Sequence, residues 1–231
     1  MPLREFESRE SLAQALAQVL VADLQGRGAA LLRVSGGSTP RPLFRALAEF
    51  THFDWSKVWI GLVDDRWVGV EDAASNEAFV KRELMPQASP VAAARFVGLA
   101  RPDQSLDCAA SVWSEMIDAG VPSIADALVL GMGADGHFAS LFPGMPGLAQ
   151  SLKLDAQPGT VPALAPSEPR QRISLNLAAI AASKQLYLHI TGADKRALFD
   201  RARSGDAEVA DLPIATLVAK LGERLIVYWA P

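Results

Sequence analysis

Apolar and polar positions follow two different periods along the chain, one of helices and one of buried strands. In residues 8–28, SRESLAQALAQVLVADLQGRG, the positions Leu12, Leu16, Val19, Leu20 and Leu24 recur at helical spacing and the run stops at glycine. AALLRVS (29–35) reads as a buried strand running into GGSTP, and RPLFRALAEF (41–50) as a helix. KVWIGLV (57–63) predicts a second strand ending at DDRWV, SNEAFVKREL (75–84) a helix opened by Ser75, and ARFVGL (94–99) a third strand. LDCAASVWSEMIDAG (106–120) reads as a helix with a glycine stop, and ADALVLG (125–131) as a strand. QRISLNL (171–177), KQLYLHI (184–190) and ERLIVYW (223–229) predict further strands, with helices at ADKRALFDRAR (193–203) and PIATLVAKLG (213–222).

This alternation predicts an α/β fold: a single Rossmann-like domain over residues 1–231, with a mostly parallel sheet flanked by helices. Residues 141–169 are rich in proline and glycine and read as a long surface loop, because the β/α alternation resumes after them. Ligands of such sheets bind beyond the carboxyl ends of the strands. Three predicted strand ends carry chemistry: SGGSTP (35–40), DDRWV (64–68) and GMGADGH (131–137).

Composition narrows the partners. Half of the residues are hydrophobic and 21% are charged, an ordinary globular balance, and the net charge of −4 advertises neither a nucleic-acid nor an anionic-membrane partner. Any anionic ligand must therefore be captured locally. Cys108 is the only cysteine, so neither an intrachain disulfide nor a multi-cysteine metal site is available. MPLREFESRE lacks the apolar core of a signal peptide, and no apolar run is long enough to span a bilayer, so a cytoplasmic location is expected.

At SGGSTP, Gly36 and Gly37 let backbone approach a ligand, Ser38 or Thr39 is a candidate cap, and Pro40 suits a first helical turn. Free N–H groups at such a turn favour phosphate, although the same residues also make a capped turn that binds nothing. In DDRWV, Asp64 and Asp65 point to opposite faces of an extended segment, which makes them a poor shared acid/base pair. Arg66 is either a surface ion-pair residue or a fixed positive charge beside a ligand.

Gly131, Gly133 and Gly136 fit G-x-G-x-x-G, but a dinucleotide site needs an acidic residue about 20 positions on, at the end of the next strand. Asp155 has that spacing and lies in the proline-rich segment instead. The glycines point rather to His137, with Asp135 two residues away to influence its orientation or charge. Histidine is the commonest general acid/base. His52 and His189 lack this setting, one in a loop and one in an apolar strand, and no metal-ligand spacing accompanies His137.

Taken in order, SGGSTP, DDRWV with SNEAFVKREL, GMGADGHFASLFPG, RISL and TGADKR resemble the 6-phosphogluconolactonase family, in the glucosamine/galactosamine-6-phosphate isomerase superfamily. The resemblance implies hydrolysis of 6-phosphoglucono-δ-lactone to 6-phosphogluconate in the oxidative pentose phosphate pathway, with no cofactor and a phosphorylated sugar lactone as the small-molecule partner. By position it makes His137 the general base, with Asp135 and Arg66 beside it. Gly36, Gly37, Ser38 and Thr39 match the substrate-binding turn, and Arg172 and Lys195 match basic positions that receive phosphate in the related deaminases.

Three positions depart from the family pattern. A usual D-E-R is Asp64-Asp65-Arg66, Phe138 follows the histidine in place of a common threonine, and Asn176 replaces another threonine after RISL. The nearest rival, glucosamine-6-phosphate deaminase, has an acidic residue shortly after its histidine, whereas HFASLFPG (137–144) has none. A non-catalytic sugar-phosphate sensor is the other alternative, without an apparent DNA-binding module.

Overall fold

The computed structural model describes residues 1–231. Ten strands form: β1 (Leu3–Glu5), β2 (Ala30–Val34), β3 (Val58–Leu62), β4 (Asp64–Arg66), β5 (Arg95–Val97), β6 (Ala127–Leu130), β7 (Thr160–Leu164), β8 (Gln171–Leu175), β9 (Gln185–Thr191) and β10 (Leu225–Ala230). Eight α-helices accompany them: α1 (Arg9–Leu24), α2 (Arg41–Ala48), α3 (Asn76–Leu84), α4 (Val112–Asp118), α5 (Leu148–Ser151), α6 (Leu177–Ala181), α7 (Ala193–Ser204) and α8 (Pro213–Leu221). No helix is long and apolar enough to cross a membrane.

Seven strands make one parallel sheet in the order β1-β10-β9-β6-β2-β3-β5, which bears out the expected architecture. The chain runs outward from β2 through β3 to β5, then returns to pair β6 on the other side of β2. Connections therefore diverge from a crevice between the carboxyl ends of β2 and β6, the place where such sheets bind ligands. Central strands read as apolar runs because both faces are covered: all of β2 and β6 is buried. The exception is Arg33 on β2, whose guanidinium donates to the Leu62 carbonyl and lies over the Trp113 ring.

Helix α1 shows how the periodicity becomes structure. Ser8 caps it by accepting from the Ser11 amide, and Leu12, Leu16, Leu20 and Leu24 are buried along one face. Truncating one of these leucines to alanine costs about 2–5 kcal/mol, the transfer energy plus that of the cavity left behind.

Four features differ from the sequence reading. The charged amino terminus contains β1, held at the sheet edge by β10. The first three residues of DDRWV are themselves a strand, β4, and QRISLNL leaves the main sheet: β4, β8 and β7 form a separate antiparallel sheet. The segment 141–169 holds α5 and β7 and is not merely a loop. Pro162 lies on an edge strand, where its missing N–H leaves no ladder position unpaired on the interior side. Finally, 106–120 splits into a 3₁₀ turn over Leu106–Ala110 and α4.

Candidate active site

The turn after β2 meets the turn after β6 through Ser35. Its hydroxyl donates to the Val129 carbonyl and accepts from the Gly131 amide. The amides of Gly36, Gly37, Ser38 and Thr39 donate to no protein acceptor. Gly37 has φ +91°, and a Cβ on Gly36 would sit 2.1 Å from Asn76 Oδ1, so both glycines are structurally required. Neither Ser38 nor Thr39 caps α2; Pro40 occupies the cap position without a side-chain bond.

The turn after β6 builds a histidine–carboxylate pair. Asp135 Oδ1 lies 2.5 Å from His137 Nδ1 and also accepts from the His137 amide. This fixes the ring and leaves Nε2 as the unengaged nitrogen. The Phe142 ring, 4.4 Å away between centroids, supports it. Gly133 leaves the room: a Cβ there would lie 2.2 Å from His137 Nδ1 and 2.5 Å from Asp135 Oδ1. Gly136 has φ +78° and fits closely against Leu212 and Ile214. Two of the three motif glycines therefore serve the histidine turn. Phe138, in place of the common threonine, is fully buried in the core. Ala139 has φ +47°, a left-handed conformation unfavourable for a residue with a Cβ by about 1–2 kcal/mol.

The antiparallel sheet supplies the opposite wall. Alternation along β4 turns Asp64 to the cavity, where it accepts a 2.6 Å bond from Ser140 Oγ. Asp65 turns away and is fully buried, accepting from the amides of Arg66, Asn76 and Glu77, so it moors the start of α3. Burial pushes its carboxyl up to about 6, the loss of solvation outweighing those three donors. Arg66 is paired with Arg172 across β4 and β8. Arg66 also donates to the Ala74 carbonyl, and Arg172 Nε donates to the Pro169 carbonyl at 2.7 Å. Burial, then the neighbouring Arg66 charge, lowers the Arg172 guanidinium from its usual range. Asn176 instead caps α6 and accepts from Ala179, away from the cavity.

From the main sheet, β9 contributes His189 and the first turn of α7 contributes Lys195. Burial, then the Arg9 charge, lowers the Lys195 ammonium. All of these walls enclose one cavity of about 380 Å³, within the range of small-molecule sites. Gly36, Gly37, Ser38, Thr39, Arg66, His137, Arg172 and Lys195 line it, whereas Asp135 stands behind His137. Sequence reading left open which of Asp64 and Asp65 faces the cavity, and it missed Asn76, Ser140, Ser167 and His189 as polar lining residues. Asn76 and Ser140 lie inside SNEAFVKREL and GMGADGHFASLFPG, and that membership was their only signal. His189 gave none, because its strand reads as core.

A family profile described as "Glucosamine-6-phosphate isomerases/6-phosphogluconolactonase" matches residues 5–227. The chain belongs to this family. Within the glucosamine-6-phosphate isomerase/6-phosphogluconolactonase family, a 6-phosphogluconolactonase of Pseudomonas putida is 40% identical over 221 residues, covering 96% of this chain and 88% of that protein. The crystal structure of a 6-phosphogluconolactonase from Shewanella baltica OS155 superposes with TM-score 0.88 at 33% identity, covering 100% of this chain and 98% of that one. A monomeric glucosamine-6-phosphate deaminase shares the fold at TM-score 0.80 and 18% identity, covering 100% and 97% of the two chains. The resemblance found in the motifs is borne out.

Proposed function

We propose that this protein is a 6-phosphogluconolactonase, hydrolysing 6-phosphoglucono-δ-lactone to 6-phosphogluconate in the oxidative pentose phosphate pathway, as a soluble cytoplasmic enzyme. The observation that carries the reading is the His137–Asp135 pair on the edge of a cavity that also holds Arg66, Arg172 and Lys195. Relatives named for this activity at 40% and 33% identity support it.

The chemistry follows from the pair. With Asp135 accepting the Nδ1 proton, His137 Nε2 is the acceptor that takes a proton from water as its oxygen attacks the lactone carbonyl carbon. The tetrahedral oxyanion collapses, the carbon–ring-oxygen bond breaks, and the imidazolium returns its proton to the departing ring oxygen. The product is the open-chain acid. The unpaired amides of residues 36–39 are candidates to hold substrate oxygens, and Arg66, Arg172 and Lys195 to bind the phosphate and orient the ring. A lactone carbonyl is already activated, so this route uses neither a covalent nucleophile nor a metal.

The experiment is direct assay of freshly made lactone, corrected for spontaneous opening, with ammonia release from glucosamine 6-phosphate measured in parallel. Lactone opening that survives EDTA and alkylation of Cys108, without ammonia release, is the expected result. Efficient ammonia release would move the protein to the deaminase branch. Binding of sugar phosphate without turnover would make it a sensor.

A further inference from the structure

His189 is a buried polar residue of the cavity lining that the proposed chemistry leaves unused. It sits on β9, only 3% exposed, opposite Tyr228 in the register with β10. Side chains alternate along a strand, so His189 shares its face with Tyr187, two residues earlier. Tyr187 has its partner, donating to Asp23 Oδ2 of α1 at 2.6 Å. One step nearer the carboxyl end, His189 makes no hydrogen bond to protein and lines the catalytic cavity. Its ring nitrogens are not among the fully buried polar atoms left without a partner; they open onto the cavity, where a ligand can supply the bond.

Its neighbour defines what that ligand presents. The Lys195 ammonium, in the first turn of α7, stands close enough to His189 to depress its protonation, after the larger effect of burial, to about 4. The ring is therefore neutral at physiological pH, with one N–H donor and one acceptor nitrogen. A neutral donor beside a cation complements an anionic oxygen without adding a further buried charge.

We propose that His189 is an additional substrate-binding residue, donating a ring N–H to the phosphate of the sugar lactone alongside Lys195. This rests on the lactonase reading above. It adds a contact from the middle of an apolar strand, where no motif marks one. On this assignment His189 binds and does not transfer protons, so its loss acts on phosphate recognition and leaves the His137 step in place.

The test compares kcat/KM for the phosphorylated lactone and for unphosphorylated glucono-δ-lactone in wild type, His189→Leu and His189→Gln, together with calorimetric titration of inorganic phosphate. His189→Met serves if the leucine variant does not fold. His189→Leu is expected to reduce the preference for the phosphorylated lactone about tenfold or more, mainly through KM, and to weaken phosphate binding comparably. His189→Gln, which keeps an N–H donor, is expected to recover part of both. An undiminished preference with unchanged phosphate affinity would overturn the assignment. So would an equal loss on both lactones, which would place His189 against the sugar or the reacting carbon. A wild-type protein that opens neither lactone would instead defeat the lactonase reading itself, and the phosphate titration would still report on His189.

Discussion

Arg66 and Arg172 face one another across the β4–β8 ladder and both reach the same cavity. Like charges placed directly opposite in a sheet are destabilising, so this pair makes physical sense where an anion joins them. Removing Arg172 or Lys195 should therefore act on recognition of the phosphate. Arg172→Ala and Lys195→Ala are expected to narrow the preference for phosphorylated over unphosphorylated lactone by roughly ten- to hundredfold each, at about 1.5–3 kcal/mol per charge-assisted bond. Steady-state kinetics on both lactones checks this. The two losses need not add, since the residues share one ligand.

His137→Ala should slow both lactones equally, by about 10²–10⁴-fold, as expected for loss of a general base. The fold should survive, because the His137 side chain is part-exposed at the cavity edge. Asp135→Asn keeps the shape while removing the carboxylate charge beside Nδ1–H, so kcat should fall with little change in KM. Near-wild-type kcat in a folded His137→Ala protein would end the mechanism proposed.

Gly133→Ala tests whether the glycine exists for the pair. A methyl group there would stand 2.2 Å from the His137 ring, which must swing away from Asp135. Activity should drop towards that of His137→Ala while thermal unfolding changes little. Full activity would mean that the ring position is not what Gly133 protects.

Asp65 should leave a mark on the pH dependence of stability. Its folded-state value, about 6, lies above the unfolded 3.8, so folding favours the protonated carboxyl. That contribution is fully present below about pH 4 and is lost as pH rises through 6, amounting to about 2–3 kcal/mol. Urea unfolding of wild type and Asp65→Asn across this range should show the wild type losing ground to the variant as pH rises from 4 to 7. Parallel profiles would show that the Asn76, Glu77 and Arg66 amides fully offset the burial.

Periodicity alone determined most of the main sheet and its helices, because each fully buried strand and each one-sided helix must carry its solvent exposure in its own residues. Local chemistry likewise marked SGGSTP and GADGH, since a turn that needs glycine beside a hydroxyl or a histidine is written within a few positions. What sequence could not place depends on partners far along the chain. β4 and β8 are short, and their departure into a second sheet is decided by pairing between residues about a hundred positions apart. That pairing alone sets Arg66 against Arg172, and it assigns Asp64 to the cavity and Asp65 to the start of α3. The edge strand β1 exists only because β10 offers it a ladder. His189 has the sequence context of a core residue. Its exposure to ligand is set by where β9 ends relative to the crevice between β2 and β6, a relation that belongs to the assembled sheet.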